Sequence, residues 1–144
     1  MASPPMTYTV QARASAAGPA EVDAGSEIVA FDASWAVEPT GLPGPADLLA
    51  SAFAACLLKN TERASKLLSF RYERAEVDVL ARRQDKPPRF VEISYELRLV
   101  TAEPEHRVEL LHHNLRKFGT VYNTLAAVCA VDGQVTATPP GTDR

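Results

Sequence analysis

The two cysteines, Cys56 and Cys129, are the side chains of this sequence with the most distinctive chemistry. A cysteine thiolate is a nucleophile, and oxidation converts it to a sulfenic acid that a second thiol can reduce. The two cysteines form no C-x-x-C pair and no second set of ligands lies near either one, so we expect no metal site. The three histidines, His106, His112 and His113, lie in one segment and are expected to be structural.

Cys56 lies in a segment whose apolar residues recur at helical spacing. Gly44 and Pro45 suit the N-cap and the first helical position, and the pattern predicts a helix that continues to about Leu68. Because Cys56 lies in the middle of this helix, the positive helix N-terminus is too distant to favour its thiolate, and a nearby cation would have to do so. By itself, a cysteine among apolar residues at helical spacing is more typically a small buried hydrophobic residue than a reactive thiol.

The remaining elements follow from alternating residues and from turn residues. Two long antiparallel strands are predicted at 74–81 and 91–99, with a loop between them at 82–89 that contains two prolines. Further strands are predicted at 7–14, 21–24, 27–31 and 131–136, and further helices at 104–118 and 120–128. This order of elements predicts an α+β fold with antiparallel sheets.

The composition is that of a folded globular protein, with 46% hydrophobic and 23% charged residues. A length of 144 residues predicts a single domain, residues 1–144, with an ordered core at about 7–137. The formal net charge of -3 gives no argument for nucleic acid or an anionic membrane as a partner. The longest apolar run, at 48–58, is shorter than the ~20 residues of a spanning helix, and 1–10 lacks the pattern of a secretory signal, so we expect a cytoplasmic protein.

The first half of the predicted central helix, at 48–58, is apolar on nearly all sides. A helix of this kind is usually covered on more than one side, and one small sheet is not enough to cover it. We therefore expect a homodimer, in which a second copy completes the packing.

Three segments, in this order, resemble the family of osmotically inducible protein C and organic hydroperoxide resistance protein. GPADLLASAFAACLL resembles the helix that carries the family's first cysteine, and EVDVLARRQDKPPRFVEISYELRLV resembles the long hairpin that follows it. KFGTVYNTLAA resembles the helix that carries the second cysteine. The resemblance covers about residues 7–137.

The resemblance implies antiparallel sheets wrapped around two central helices in an intertwined dimer, with a site at the subunit interface. It implies a thiol-dependent peroxidase that reduces organic hydroperoxides in oxidative stress defence, without a cofactor and with an external thiol as reductant. Cys56 falls at the peroxide-reacting cysteine. Arg13 is the candidate for the arginine that stabilises the thiolate, and Asp47 falls where many relatives carry a glutamate that orients this arginine.

The second cysteine is where the sequence departs from the family. Gly119 occupies its position and Thr120 that of the following proline, whereas Tyr122 and Asn123 match the family helix and are expected to pack near the site. Cys129 lies ten residues beyond Gly119. Over a helix, this separation corresponds to ~15 Å, but a disulfide needs Cα atoms within ~7 Å. We therefore expect Cys129 to form no disulfide with Cys56.

Three functions remain open on the sequence. The first is a peroxidase that uses Cys56 as its one redox cysteine. The second is a non-catalytic dimer that binds an apolar small molecule at the subunit interface. The third is a thioesterase of the hot-dog type, and the presence of two predicted long helices with stop signals argues against it.

Overall fold

The computed structural model describes residues 6–16 and 18–141. The chain divides into two compact units, Met1–Leu48 and Leu49–Arg144. The organisation as a single domain stays a prediction. No helix of the described residues is long and apolar enough to cross a membrane.

The first unit contains one antiparallel sheet in the order β1-β2-β3, with β1 at Gln11–Ala14, β2 at Ala20–Ala24 and β3 at Glu27–Phe31. Strands β2 and β3 match the prediction closely, and Gly25 has a φ of 63° in the turn between them. Strand β1 is shorter than predicted, because residues 7–10 do not pair with another strand.

Helix α1, Pro45–Leu68, has the predicted bounds. Its buried face repeats at helical spacing and consists of Phe53, Leu57, Thr61 and Ala64. At the C-terminus Ser69 has a positive φ of 50°, and the Phe70 amide donates to the Ser65 carbonyl. This is the hydrogen bond of a Schellman motif, and it turns the chain so that the Phe70 ring is buried.

A second sheet, in the order β4-β5-β6, lies within the second unit, with β4 at Arg74–Asp85, β5 at Pro88–Val100 and β6 at Ala130–Thr138. The predicted loop at 82–89 is wrong. Strand pairing continues through most of this segment, with a register shift between Arg82 and Arg83, and the connection shrinks to a tight turn at Lys86 and Pro87. A bulge lets a ladder continue where the alternation of side chains breaks.

Helices α2, Glu105–Phe118, and α3, Thr120–Ala126, connect β5 to β6. They form a helical crossover, and β6 therefore pairs parallel to β5, with Tyr95 opposite Gly133. This pair departs from the antiparallel pattern expected from the sequence, and the α+β class is confirmed. The core of the second unit includes Phe53, Leu57, Phe70, Ile93, Tyr95, Leu97, Leu99, Leu111, Leu115 and Tyr122.

Candidate functional site

Cys56 is half-buried on α1 and packs against the edge of the core. Asn60 lies one turn further along the helix, and its amide nitrogen is 3.5 Å from Cys56 Sγ and 2.9 Å from the Cys56 carbonyl oxygen. An N–H group that points at sulfur favours the thiolate over the thiol. Our reading of the sequence missed Asn60, although an i,i+4 pair on one helix face is a signal that could have revealed it.

Gly119 lies beside Cys56 and joins α2 to α3. A Cβ atom added to Gly119 would be 3.1 Å from Cys56 Sγ, 2.9 Å from the Tyr122 Cβ and 3.3 Å from the Leu115 carbonyl oxygen. The residue is buried, and its φ of -74° and ψ of 122° are accessible to any amino acid. The structure thus places Gly119, the residue that the resemblance aligns with the second cysteine, so close to Cys56 that a side chain there would meet the thiol.

Cys129 is engaged elsewhere in the second unit. Its Sγ lies 3.2 Å from the Leu125 carbonyl oxygen, as a donor. Both cysteines are free thiols in this structure. The prediction that oxidation does not link them stays a prediction.

Three polar aromatic side chains form a chain of close contacts in the core of the second unit. The Tyr95 hydroxyl is 2.6 Å from His112 Nε2 and 3.4 Å from the Tyr122 hydroxyl. The Phe53 ring stacks on the Tyr122 ring, with centroids 5.5 Å apart. Gly133 makes room for Tyr95, since a Cβ there would overlap the tyrosine ring. Tyr122 packs near Cys56 through Gly119, as expected; the link from His112 to Tyr95 had no signal in the sequence.

Arg13 lies on β1 and is bonded within the first unit. Its Nε is 3.1 Å from Glu21 Oε1, and its two terminal nitrogens lie 3.0 and 3.1 Å from the two carboxylate oxygens of Asp23. Glu21 is directly opposite Arg13 in the ladder between β1 and β2. The hydrogen bond from Arg13 lowers the pKa of Asp23, and the same bond raises the pKa of Arg13.

Asp47 occupies the first turn of α1, where its Oδ2 accepts a hydrogen bond of 3.0 Å from the Gly44 amide. This contact closes the N-terminus of the helix as a capping box does. The ion pair expected between Asp47 and Arg13 does not form among the described residues, and Arg13 instead donates three of its five N–H groups to Glu21 and Asp23 on its own sheet. The catalytic roles assigned to Arg13 and Asp47 stay predictions.

A cavity of 620 Å³ lies at the C-terminal end of α1, within the second unit. Its lining mixes charged and aromatic side chains, among them Glu62, Lys66, Arg71 and Tyr72. The Tyr72 hydroxyl donates to Glu62 at 2.6 Å. In the described residues, no group of three His, Cys, Asp or Glu side chains could hold a metal ion.

Comparison with known proteins indicates the same family as the sequence motifs. The family model described as "OsmC-like protein" matches residues 38–132. No curated protein matches the chain significantly.

Solved structures share the fold at low sequence identity. The OsmC-like protein from Mycoplasma pneumoniae is 18% identical, with a TM-score of 0.79, and the alignment covers 93% of this chain and 97% of that one. The organic hydroperoxide resistance protein OhrB of Bacillus subtilis is 19% identical, with a TM-score of 0.62 and coverage of 91% and 98%. A protein described as an organic hydroperoxide resistance protein from Legionella pneumophila is 15% identical, with a TM-score of 0.68 and coverage of 91% and 97%. Since the family model spans most of the sequence and the fold agrees, the chain belongs to the family of OsmC-like proteins.

Proposed function

We propose that this protein reduces organic hydroperoxides with Cys56 as its single redox cysteine and an external thiol as the reductant. The observation that carries the proposal is that a Cβ at Gly119 would lie 3.1 Å from Cys56 Sγ, which is where a second cysteine could form a disulfide with Cys56. Solved relatives that are named organic hydroperoxide resistance proteins support the choice of substrate class. The reductant has to come from outside because the chain has glycine at this position.

The proposed reaction has two stages. The Cys56 thiolate attacks one oxygen of the hydroperoxide, a sulfur–oxygen bond forms, and the O–O bond breaks to release an alkoxide that takes up a proton and leaves as the alcohol. Cys56 is thereby oxidised to a sulfenic acid. An external thiol then attacks this sulfur, which releases water and forms a mixed disulfide, and a second external thiol restores the Cys56 thiol as the disulfide of the two reductant molecules leaves.

In this proposal Asn60 donates a hydrogen bond to the sulfur, and Arg13 supplies further N–H donors that favour the thiolate. Asp47 acts by fixing the first turn of α1. The proposal also places the protein in the cytoplasm, where small thiols are kept reduced, and gives it a second copy of the chain as its partner.

The two cysteines offer a matched pair of variants to test the proposal. Consumption of cumene hydroperoxide with dithiothreitol as reductant is measured for the wild-type protein, Cys56→Ser and Cys129→Ser. We expect Cys56→Ser to fall to the rate without protein, because an unactivated serine hydroxyl is too weak a nucleophile to attack the peroxide, and Cys129→Ser to stay within about twofold of wild type. Wild-type activity retained by Cys56→Ser would overturn the assignment of the redox cysteine.

A further inference from the structure

The hydrogen-bond chain from His112 through Tyr95 to Tyr122 ends beside the Cys56 site. His112 belongs to α2, Tyr95 to β5 and Tyr122 to α3. The last of these places its Cβ next to the position that a Cβ of Gly119 would occupy, and Gly119 borders Cys56 Sγ. The Tyr122 ring also stacks on Phe53, which lies three residues before Cys56 on α1, so a change in how Tyr122 is held can reach the Cys56 site.

The two tyrosines and the histidine satisfy one another only in one proton arrangement. When the imidazole is neutral and Nε2 accepts, Tyr95 donates to His112 across 2.6 Å and Tyr122 donates to Tyr95 across 3.4 Å. Each hydroxyl hydrogen then has an acceptor. Among the residues that the structure describes, Tyr95 is the only hydrogen-bond partner of the Tyr122 hydroxyl.

A second proton on the imidazole reverses the direction of these two hydrogen bonds. His112 Nε2–H then donates to the Tyr95 oxygen, the Tyr95 hydroxyl donates to Tyr122, and the Tyr122 hydroxyl hydrogen is left without an acceptor. Tyr122 is 6% exposed, so water does not readily replace the lost partner. A buried donor that loses its acceptor is costly, so Tyr122, whose ring stacks on Phe53, is then held less firmly.

The surroundings keep the imidazole neutral near neutral pH. Burial lowers the pKa of His112, Arg116 on the same helix acts in the same direction, and Asp132 on β6 opposes them. Burial also raises the pKa of Tyr95, which keeps that hydroxyl protonated as a donor. Tyr95 of β5 meets the ring directly, and Asp132 of β6 and Tyr122 of α3 are the titratable groups of the elements that follow α2. From α1, Arg63 contacts α2 at Asn114 and Phe118.

We propose that His112 is a positioning residue of the Cys56 site, and that a second proton on its imidazole reverses the chain through Tyr95 and Tyr122 and loosens the wall at Gly119. These three side chains act on the site through Tyr122 and contact neither the substrate nor the Cys56 sulfur. This proposal rests on Cys56 as the reactive thiol of the proposed function. It predicts that the accessibility of Cys56 depends on the protonation of the His112 imidazole.

The test measures alkylation of Cys56 by iodoacetamide in a Cys129→Ser background, without peroxide. His112→Gln is the rescue variant, because its amide can accept from or donate to Tyr95 and does not titrate. The ratio of the wild-type rate to the His112→Gln rate cancels the thiolate fraction that both proteins share. We expect a ratio near one at about pH 8 that rises about fivefold as acidification protonates His112, because the loss of one hydrogen bond loosens the wall.

Two further variants separate this mechanism from a general effect of acid. His113→Gln changes the exposed neighbour of His112 and is expected to follow the wild-type curve. Tyr122→Phe removes the hydroxyl that would lose its acceptor, so its rise on acidification is expected to be smaller than that of the wild type. Equal wild-type and His112→Gln rates at every pH, or a His113→Gln curve that matches His112→Gln, would overturn the proposal. Peroxide consumption, measured separately, tests the proposed function alone.

Discussion

At the scale of single residues, Gly119 decides what Cys56 can do. In a disulfide, the Cβ of one cysteine lies about 3 Å from the sulfur of the other, since two bonds separate them. A Cβ at Gly119 would lie 3.1 Å from Cys56 Sγ, which meets this requirement. The backbone at Gly119 therefore fits the geometry of a disulfide with Cys56, and glycine supplies no second sulfur.

This geometry predicts that Gly119→Cys forms a disulfide with Cys56 on mild oxidation. The link closes a long loop, which would stabilise the oxidised protein by about 4 kcal/mol, and the close contact with the Tyr122 Cβ would offset about 1–3 kcal/mol of this. Non-reducing peptide mapping reports the link, and thermal unfolding with and without reductant reports its effect on stability.

Thr120→Cys is the matched control for this variant, because Thr120 is the next residue and is exposed. We expect it to give no linked peptide with Cys56 under the same conditions. Equal yields from the two variants would mean that the register of α3 against α1 differs from the structure. A negative result for Gly119→Cys alone would show that the Tyr122 contact does not relax.

The positions of single site residues could be predicted from the sequence where a family motif contained them. The three ordered motifs predicted that Gly119 occupies the position of the family's second cysteine, and a Cβ at Gly119 would lie 3.1 Å from Cys56 Sγ. The expected pair of Arg13 and Asp47 did not form, because a single sequence does not reveal that Glu21 lies opposite Arg13. His112 and Tyr95 are far apart in the chain, and no periodic pattern relates them.

At the scale of elements, the ladder between β1 and β2 determines how Arg13 can act. Glu21 and Asp23 together carry more charge than the arginine, so Arg13 would favour a thiolate through its N–H donors and not through net positive charge. The bidentate bonds to Asp23 hold the guanidinium plane in one orientation. This is the task that the sequence had assigned to Asp47.

We predict that Arg13→Ala slows Cys56 alkylation about tenfold at neutral pH, by moving its pH dependence to higher pH. Asp23→Asn is expected to speed Cys56 alkylation, because it removes a carboxylate that competes for the arginine donors. Arg89→Ala, which removes another exposed arginine, serves as the control. If the Arg13→Ala and wild-type curves coincide, Arg13 has no part in activating the thiol.

The bounds of the elements were predictable where a pattern ended in a clear stop signal. Pro45 begins α1 and Gly119 separates α2 from α3, as expected. The prolines near the turn from β4 to β5 predicted a loop at 82–89. The connection in the structure is shorter, because the strands stay paired beyond a bulge. The parallel pairing of β6 follows from the helical crossover before it, and alternation of side chains alone does not distinguish parallel from antiparallel neighbours.

At the scale of the whole molecule, we predict a homodimer. Trp35 and Val37 are fully exposed, and Ala52 and Ala55 of α1 are exposed as well. Large apolar side chains that are this exposed are typical of a surface that a partner covers. We expect the second copy to cover Trp35, the only tryptophan of the chain.

Sedimentation velocity at micromolar concentration is expected to give a dimer of the 15.6 kDa chain. Trp35 provides an independent signal, since its fluorescence emission should shift to longer wavelength when dilution separates the copies. A folded monomer that is stable at micromolar concentration would contradict the dimer. A dimer whose Trp35 emission is that of tryptophan in water would show that another surface forms the interface.

The proposed function requires that Cys56 reacts with an organic hydroperoxide and that no cysteine of the chain reduces the product. The most direct measurement is intact-mass analysis and peptide mapping after a brief dose of an organic hydroperoxide in the presence of dimedone, which traps sulfenic acids. We predict a dimedone adduct on the Cys56 peptide and no peptide that links Cys56 to Cys129. A Cys56 that stays reduced under these conditions, or a linked peptide in high yield, would contradict the claim.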